Sequence, residues 1–384
     1  MNIVYVAPRF HTNQVPIIKH LKECGHNVHF LSYRIGITED YNVIMPLLIK
    51  PDLFYKLVSK FFLFNKNYEE KERFYLSRLG FVPSLRHLTK LLKQTTPNIV
   101  IIRGSVDIAT ILVTSLCKLL SIPNVILYTQ RAKYEIKEKM KPRERIYSYL
   151  EKIMLPRKEF TPVLYKDCLS DNTNTKDTKR VYIPFVMEYT GKKIERTYLP
   201  NGKIRIVDVG KFREYKNHII LLKALCLLTP SERSEFEVSI IGQASTDTER
   251  DNYNFLDSYI RDNDLENVVR LLTNVEYSQM PQIYLRNDVF ILPSKRELAS
   301  ISLIEAMKYG LVCVSTSHNG TASYLPPNSS FIFKTDDEHS LANVLKEIIS
   351  LKEKIKQFGK DTYDYASSHY NVQVYSEKLF EMCQ

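Results

Sequence analysis

Two carboxylates, Glu297 and Glu305, bracket seven residues just behind the apolar run Val289-Phe290-Ile291-Leu292-Pro293. The run reads as a buried strand, which puts Glu297 in the loop after it and Glu305 inside the helix that follows. Ser300 can cap that helix and Gly310 can end it. The free N–H groups of a helix start favour phosphate, and a carboxylate beside them suits hydroxyl groups such as those of a sugar. Helical spacing also puts Glu305 on one face with Ser302, Lys308 and Tyr309, so plain solvent exposure stands beside the ligand reading. A second stretch, "VGKFREYKNHIILLKAL", places Gly210, Lys211, Arg213 and Lys216 in the turn between a strand and a helix that Asn217 can cap. Cations fixed at a strand's carboxyl end can meet the charge of a diphosphate, with Lys acting as a compact point charge.

Strands and helices alternate along the whole chain and would hold both loops. The first half reads strand "NIVYVA", helix "VPIIKHLKEC", strand "NVHFLSY", then strand "NIVIIRG", helix "VDIATILVTSLCKLL" and strand "NVILYTQ". The second half restarts with "IRIVDVG", "HIILLKALCLL" and "EVSIIG", and runs on through "VVRLL", "DVFILP", "ISLIEAMKYG" and "VCVST". Strands that are apolar throughout, separated by helices, predict parallel sheets covered on both faces. At 384 residues the chain predicts two such doubly wound domains. The polar stretch "DNTNTKDTKR" (171–180) reads as a loop, and "RVYIPFVMEYTGKKIERTYLPNGK" as the connection between domains. Ligands in such domains bind beyond the carboxyl ends of the strands, so a cleft between the two sheets is the expected site.

Composition narrows the class. A hydrophobic share of 44% with 25% charged residues is that of a globular chain, and its apolar runs are shorter than a membrane-spanning helix needs. Met1 leads almost directly into a strand, without a charged-then-apolar leader, and six scattered cysteines without a Cys-x-x-Cys pair read as reduced thiols. The expected location is therefore cytoplasmic. Residues 1–200 hold 33 Lys+Arg against 18 Asp+Glu, a balance of +15, while residues 201–384 hold 21 against 25, a balance of −4. A first half so basic points to an anionic partner. Basic, aromatic stretches at 50–66 and 131–158 favour a membrane surface. The absence of helix-turn-helix, zinc-finger or RNA-binding signatures argues against nucleic acid. "RDND" contains Asp262 and Asp264 at metal-ligand spacing, but at a helix end before a strand it reads as a solvated turn, and no metal is expected.

Three segments in order, "RVYIPFV", "VGKFREYKN" and "IYLRNDVFILPSKRELASISLIEAMKYGLVCVST", resemble the GT-B-fold glycosyltransferases, in particular the retaining family 4. The resemblance covers most of 181–384 and, more faintly, the first half. It implies two doubly wound, Rossmann-like α/β domains facing each other across a cleft. Residues 1–190 would bind the acceptor and 200–370 the nucleotide sugar, with a C-terminal helix at 372–384 packing back on the first domain. It also implies retaining transfer of a hexose or N-acetylhexosamine, from a UDP-sugar foremost, to a lipid-linked or surface-glycan acceptor. The enzyme would sit peripherally on the inner face of the cell membrane, using no cofactor because the nucleotide sugar is itself the donor substrate.

By the same resemblance Glu297 would hold the donor's sugar hydroxyls and Glu305 its ribose. Lys211, standing where the family usually has Arg, and Lys216 would hold the diphosphate beside Gly210 and Arg213. The backbone at Ala299, Ser300 and Ile301 would touch the donor, with Gly242 and Gln243 near the nucleotide. Glu297, Lys211 and Lys216 form the expected catalytic set. In the first domain, His11, Thr12 and Asn13 of "RFHTNQ", with Gln130 and Arg131 after "VILYT", would line the acceptor side. A nucleotide-sugar epimerase on the same scaffold, or a non-catalytic glycosyltransferase-like binding subunit, is the alternative.

Overall fold

The computed structural model describes residues 1–36, 41–62, 81–105, 107–133, 149, 153–165, 180–189 and 195–384. The chain divides into two compact units. One comprises Met1–Pro162, Thr175–Val186 and Val372–Gln384, the other Val163–Asn174 and Met187–Asn371.

In the first unit seven parallel strands form one sheet: β1 (Asn2–Ala7), β2 (Asn27–Ser32), β3 (Leu47–Leu48), β4 (Ile99–Arg103), β5 (Asn124–Tyr128), β6 (Lys158–Thr161) and β7 (Arg180–Tyr182). Their order is β3-β2-β1-β4-β5-β6-β7, so the winding reverses between β1 and β4. Alternate residues of each strand feed opposite faces. Ile3, Tyr5, Ile99 and Ile101 pack with Ile17, Ile18 and Leu21 of the helix Val15–Glu23 and with Tyr375 and Leu379 of the C-terminal helix Val372–Glu381. Val4, Val6, Val100 and Ile102 face Leu88, Leu92, Val113 and Cys117, supplied by the helices Leu85–Thr95 and Ile108–Leu119.

The second unit repeats the plan with β8 (Ile204–Val209), β9 (Phe236–Gly242), β10 (Val269–Thr273), β11 (Val289–Leu292), β12 (Val312–Thr316) and β13 (Ser330–Phe333), in the order β10-β9-β8-β11-β12-β13. All pairings are parallel, and here the reversal falls between β8 and β11. At the amino end of that junction lies Asp288, completely buried. Its Oδ2 accepts from the Arg205 backbone N–H and Nε, each at 3.0 Å, and its Oδ1 from Arg205 Nη2 at 2.8 Å and Leu199 N at 3.2 Å. Arg196 lies 3.9 Å away and donates to the carbonyls of Tyr309 and Asn287.

The central strands coincide with the apolar runs of the sequence, but β3, β6, β7 and β13 do not. In particular Arg180–Tyr182, at the start of the stretch read as an inter-domain connection, is the edge strand of the first sheet. Residues 171–179 and 190–194 of the expected loop and connection lie outside the described residues.

Candidate functional site

Two loops leave the carboxyl ends of β8 and β11, the neighbours between which the second sheet reverses, and each carries one member of an ion pair. Lys216 donates from Nζ to both oxygens of Glu297, each at 2.7 Å, and Ser294 donates from Oγ to Glu297 Oε2 at 2.9 Å. Both charged side chains are largely shielded, at 11% and 16% exposure. The loops are also joined through backbone, since Lys295 N–H donates to the Tyr215 carbonyl at 2.9 Å. On the far side of Glu297, Gly320 N–H donates to its carbonyl at 2.8 Å. Glu297 and Lys216 are thus brought together from positions 81 residues apart. Lys211 of the same cationic turn stays exposed, while Arg213 Nε donates to the buried Glu249 at 2.9 Å.

The turn itself rests on a buried pair that the sequence reading missed. His218 Nδ1 lies 2.7 Å from Asp208 Oδ2, and its Nε2 lies 3.2 Å from the Lys211 carbonyl. Burial works against the imidazolium, but the facing carboxylate and the carbonyl outweigh it, so the ring's pKa sits above the usual value. An aspartate inside the apolar run "IRIVDVG" was the available signal, because a buried charge needs a partner. Asn217, expected as a side-chain cap, instead takes a left-handed φ of 57° at the start of the helix His218–Cys226, and its amide turns to Asp336 at 3.4 Å. Gly210 and Gly242 meet here as well. A Cβ on Gly242 would come within 2.4 Å of the Gly210 carbonyl, so only glycine lets the β8 and β9 ends approach this closely. Gln243 next to it donates from Nε2 to Ser245 Oγ at 2.8 Å.

Downstream of Glu297, Ser300 caps the helix Ile301–Lys308, its Oγ accepting from Leu303 N–H at 3.4 Å, and Gly310 closes the helix at φ +69°. Ala299 and Ile301 are partly accessible beside the buried Ser300. Glu305 is not on a solvent face. It is 8% exposed and accepts from Tyr277 Oη at 2.7 Å and Tyr284 Oη at 2.9 Å. The tyrosines come from the segment between β10 and β11, which helical periodicity within 301–308 could not reveal. Burial raises the Glu305 pKa above the ordinary carboxylate range, although both phenol donors pull the other way. Folding therefore favours the protonated acid, so this contribution to stability is present at acid pH and is lost as pH rises through the raised value. Thermal melts should show Glu305→Gln gaining on the wild type as pH rises above the ordinary glutamate range, about pH 4. A stability difference that does not change with pH would contradict this.

Asp262 ends the helix Asp247–Asp262, and Asp264 follows in a left-handed turn ahead of β10, at the sheet edge opposite these loops.

In the first unit the loop after β1 holds His11, then a short 3-10 helix of Thr12–Gln14. His11 N–H donates to Gln14 Oε1 at 3.1 Å. Burial, and then the charges of Arg103, Arg9 and Arg34, push the His11 pKa down to about 2, so the ring is neutral at working pH. The three arginines stand at the carboxyl ends of neighbouring strands and were passed over in the sequence, although "APRF", "SYRI" and "IIRG" each put one at a strand end. The Thr12 side chain is not described, and Asn13 Oδ1 is buried without a hydrogen-bond partner among the described residues. Gln130 and Arg131 follow β5, Gln130 bonding with Tyr128 and Arg131 N–H donating to Thr129 Oγ1 at 3.2 Å. Of the two basic, aromatic stretches, the first includes the helix Leu53–Phe62 with exposed Leu53 and Leu57, and most of the second lies outside the described residues.

Residues 191–365 match the family model described as "Glycosyl transferases group 1". Over 149 residues the chain is 28% identical to the amylovoran biosynthesis glycosyltransferase AmsK of Erwinia amylovora, covering 37% of this chain and 35% of that one. It is 27% identical over 140 residues to the gpi3 subunit of phosphatidylinositol N-acetylglucosaminyltransferase from Schizosaccharomyces pombe, 36% of this chain and 28% of that one. The match thus spans about a third of the length of these curated relatives. Among solved structures, a glycosyltransferase from Rickettsia africae superposes with a TM-score of 0.72 at 15% identity, covering 99% of this chain and 97% of that one. Anabaena HepE in complex with UDP and glucose superposes with a TM-score of 0.68 at 12% identity, over 99% of both chains.

Proposed function

We propose that this chain, which has the GT-B fold and carries a Glycosyl transferases group 1 domain over residues 191–365, is an enzyme that transfers a sugar from a nucleotide sugar. The observation that carries the reading is the Lys216–Glu297 pair at the point where the second sheet reverses, the usual ligand position of a doubly wound domain. Glu297, with Lys216 and Ser294 fixing both its oxygens, is the acceptor for the donor's sugar hydroxyls. Lys211 and the N–H groups at the start of the helix Ile301–Lys308 meet the diphosphate, supplying fixed positive potential where negative charge develops. Glu305, positioned by two phenols, takes the ribose. A UDP-sugar is the favoured donor, supported by the likeness to a fold neighbour solved with UDP and glucose.

In the reaction the acceptor hydroxyl oxygen bonds to the anomeric carbon on the face that the diphosphate vacates, so the configuration is retained. The glycosidic C–O bond to the diphosphate breaks, and the hydroxyl proton passes to the departing oxygen. The first unit takes the acceptor, a hexose- or N-acetylhexosamine-accepting glycan, lipid-linked or growing at the cell surface. The +15 balance of residues 1–200 supports a peripheral seat on an anionic membrane, and no helix among the described residues is long and apolar enough to cross one.

Thermal melts with UDP-, GDP- and ADP-sugars test the donor. A cognate donor at about a hundredfold over its Kd should stabilise by about 2.7 kcal/mol, and UDP-sugars should stand out. The transfer reading falls if no nucleotide sugar shifts the melt. With donor and a glycan acceptor, turnover should persist in EDTA because fixed cations meet the leaving charge. Full loss that Mg²⁺ or Mn²⁺ restores would assign that role to a metal.

A further inference from the structure

We infer that His218 is a positioning residue of the proposed donor site, a buried and doubly protonated ring that holds the Lys211 carbonyl and, through it, the turn carrying Lys211 and Lys216. The ring stands between two oxygens, Asp208 Oδ2 at 2.7 Å from Nδ1 and the Lys211 carbonyl at 3.2 Å from Nε2. An ionised carboxylate and a carbonyl only accept, and a neutral imidazole has a single N–H. Both contacts are therefore made together by the imidazolium. Asp208 requires that form as well. The carboxylate is buried and its Oδ1 has no hydrogen-bond partner among the described residues, so the ring is what meets a charge held away from water. Burial opposes charge on the ring, Asp208 and the carbonyl outweigh burial, and Lys216 is a lesser opposing charge. Phe212 walls the pair in, its ring centroid 5.5 Å from that of His218 in an edge-on contact.

At 2% exposure the ring reaches no ligand, so it acts through the turn. The Lys211 carbonyl that it holds also accepts from Arg213 N–H at 2.7 Å, and the Arg213 carbonyl in turn accepts from Lys216 N–H at 2.9 Å. A Cβ on Gly210 would meet Lys216 Cδ at 3.1 Å and His218 Cε1 at 3.4 Å, so the lysine stem and the ring lie against the same glycine. From there the Lys216 ammonium reaches both oxygens of Glu297. One buried proton thus sets where the turn's backbone, and with it Lys211 and Lys216, stands. The identity of the ligand rests on the transfer reading. The ring's charge and the order of the turn are measured without ligand, so the two can fail separately.

Nitrogen-15 NMR of the histidine-labelled full chain reads the ring, with its signal assigned by its move in Asp208→Asn. At pH 7, where an ordinary histidine is mostly neutral, His218 should be mostly imidazolium. A mostly neutral ring at that pH overturns the proposal, and this reading decides alone if the double variant below does not fold. Removing the aspartate's charge first lets the ring be removed without stranding a buried carboxylate. In Asp208→Asn the new amide can donate to Nδ1 and leave the remaining ring N–H for the Lys211 carbonyl. Asp208→Asn/His218→Phe takes that N–H away. Hydrogen–deuterium exchange at the amides of Arg213 and Lys216 should be faster in the double variant than in the single one. UDP, titrated calorimetrically at pH 7, should bind the double variant about tenfold more weakly than the single one, the scale of one hydrogen bond. Equal exchange and equal UDP affinity in the two variants overturn the proposal. Exchange that differs while UDP binds neither variant nor the wild type supports the ring's hold on the turn and removes the nucleotide reading alone.

Discussion

Lys216→Ala should lower kcat/KM for sugar transfer by about 10²–10³-fold while leaving the protein folded, the scale seen when one fixed charge-stabilising donor is removed. The ammonium contacts both oxygens of Glu297 at 2.7 Å, so its loss removes a charge from the proposed donor site and also frees the carboxylate it orients. Ser294 would remain as the side-chain donor to that carboxylate. Glu297→Gln should cost a similar factor, and the double variant Lys216→Ala/Glu297→Gln little more than either single one, because the two act as a unit. Additive losses would mean that Lys216 and Glu297 serve separate steps. Near-wild-type turnover in Lys216→Ala would remove the pair from the site altogether.

The largest effect on stability is expected at the other end of the same sheet. Asp288→Ala should destabilise the second unit by about 3–5 kcal/mol, because breaking one side of a buried ion pair strands the remaining charge. Asp288 has no exposed surface and accepts from two N–H groups of the Arg205 side chain and two backbone N–H groups, with Arg196 alongside. Removing it leaves Arg205 Nε and the backbone N–H groups of 199 and 205 without their acceptor, and Arg205 Nη2 with the Thr197 carbonyl alone. Urea denaturation followed by a probe in the second unit is the measurement, since two units need not unfold together. A loss below about 1 kcal/mol would show that water or backbone relaxation replaces the carboxylate.

The central strands were legible because burial on both faces writes an uninterrupted apolar run, as in "NIVYVA" or "DVFILP". The strands that escaped are short or polar and lie at or next to a sheet edge. Leu47–Leu48 is two exposed residues, Lys158–Thr161 is "KEFT", and Arg180–Tyr182 is "RVY". Each exists because a neighbour offers a ladder, which no local pattern records. At the site the individual residues could be singled out, but their partners could not. Glu297 and Glu305 stood out as carboxylates in apolar sequence, yet Lys216 on the one and Tyr277 and Tyr284 on the other are tertiary facts. Helical periodicity left Glu305 open to solvent because it reads one helix and not what packs over it. The arginines beyond β1, β2 and β4 looked like scattered surface charge until the parallel order of the strands brought them to one edge.

The loop after β11 is fixed at both sides of Leu298. Glu297 is tied by its carbonyl to Gly320 and by its carboxylate to Lys216, and Ser300 N–H donates to Thr321 Oγ1 at 3.3 Å. A Cβ on Gly320 would sit 2.1 Å from the Leu298 carbonyl, so the backbone there has almost no room to move, yet the Leu298 side chain is 53% exposed. Divergence can therefore act on position 298 nearly independently of the machinery around it. Descendants that exchange this one side chain would inherit an intact loop and differ chiefly in the surface it presents beside the proposed donor site.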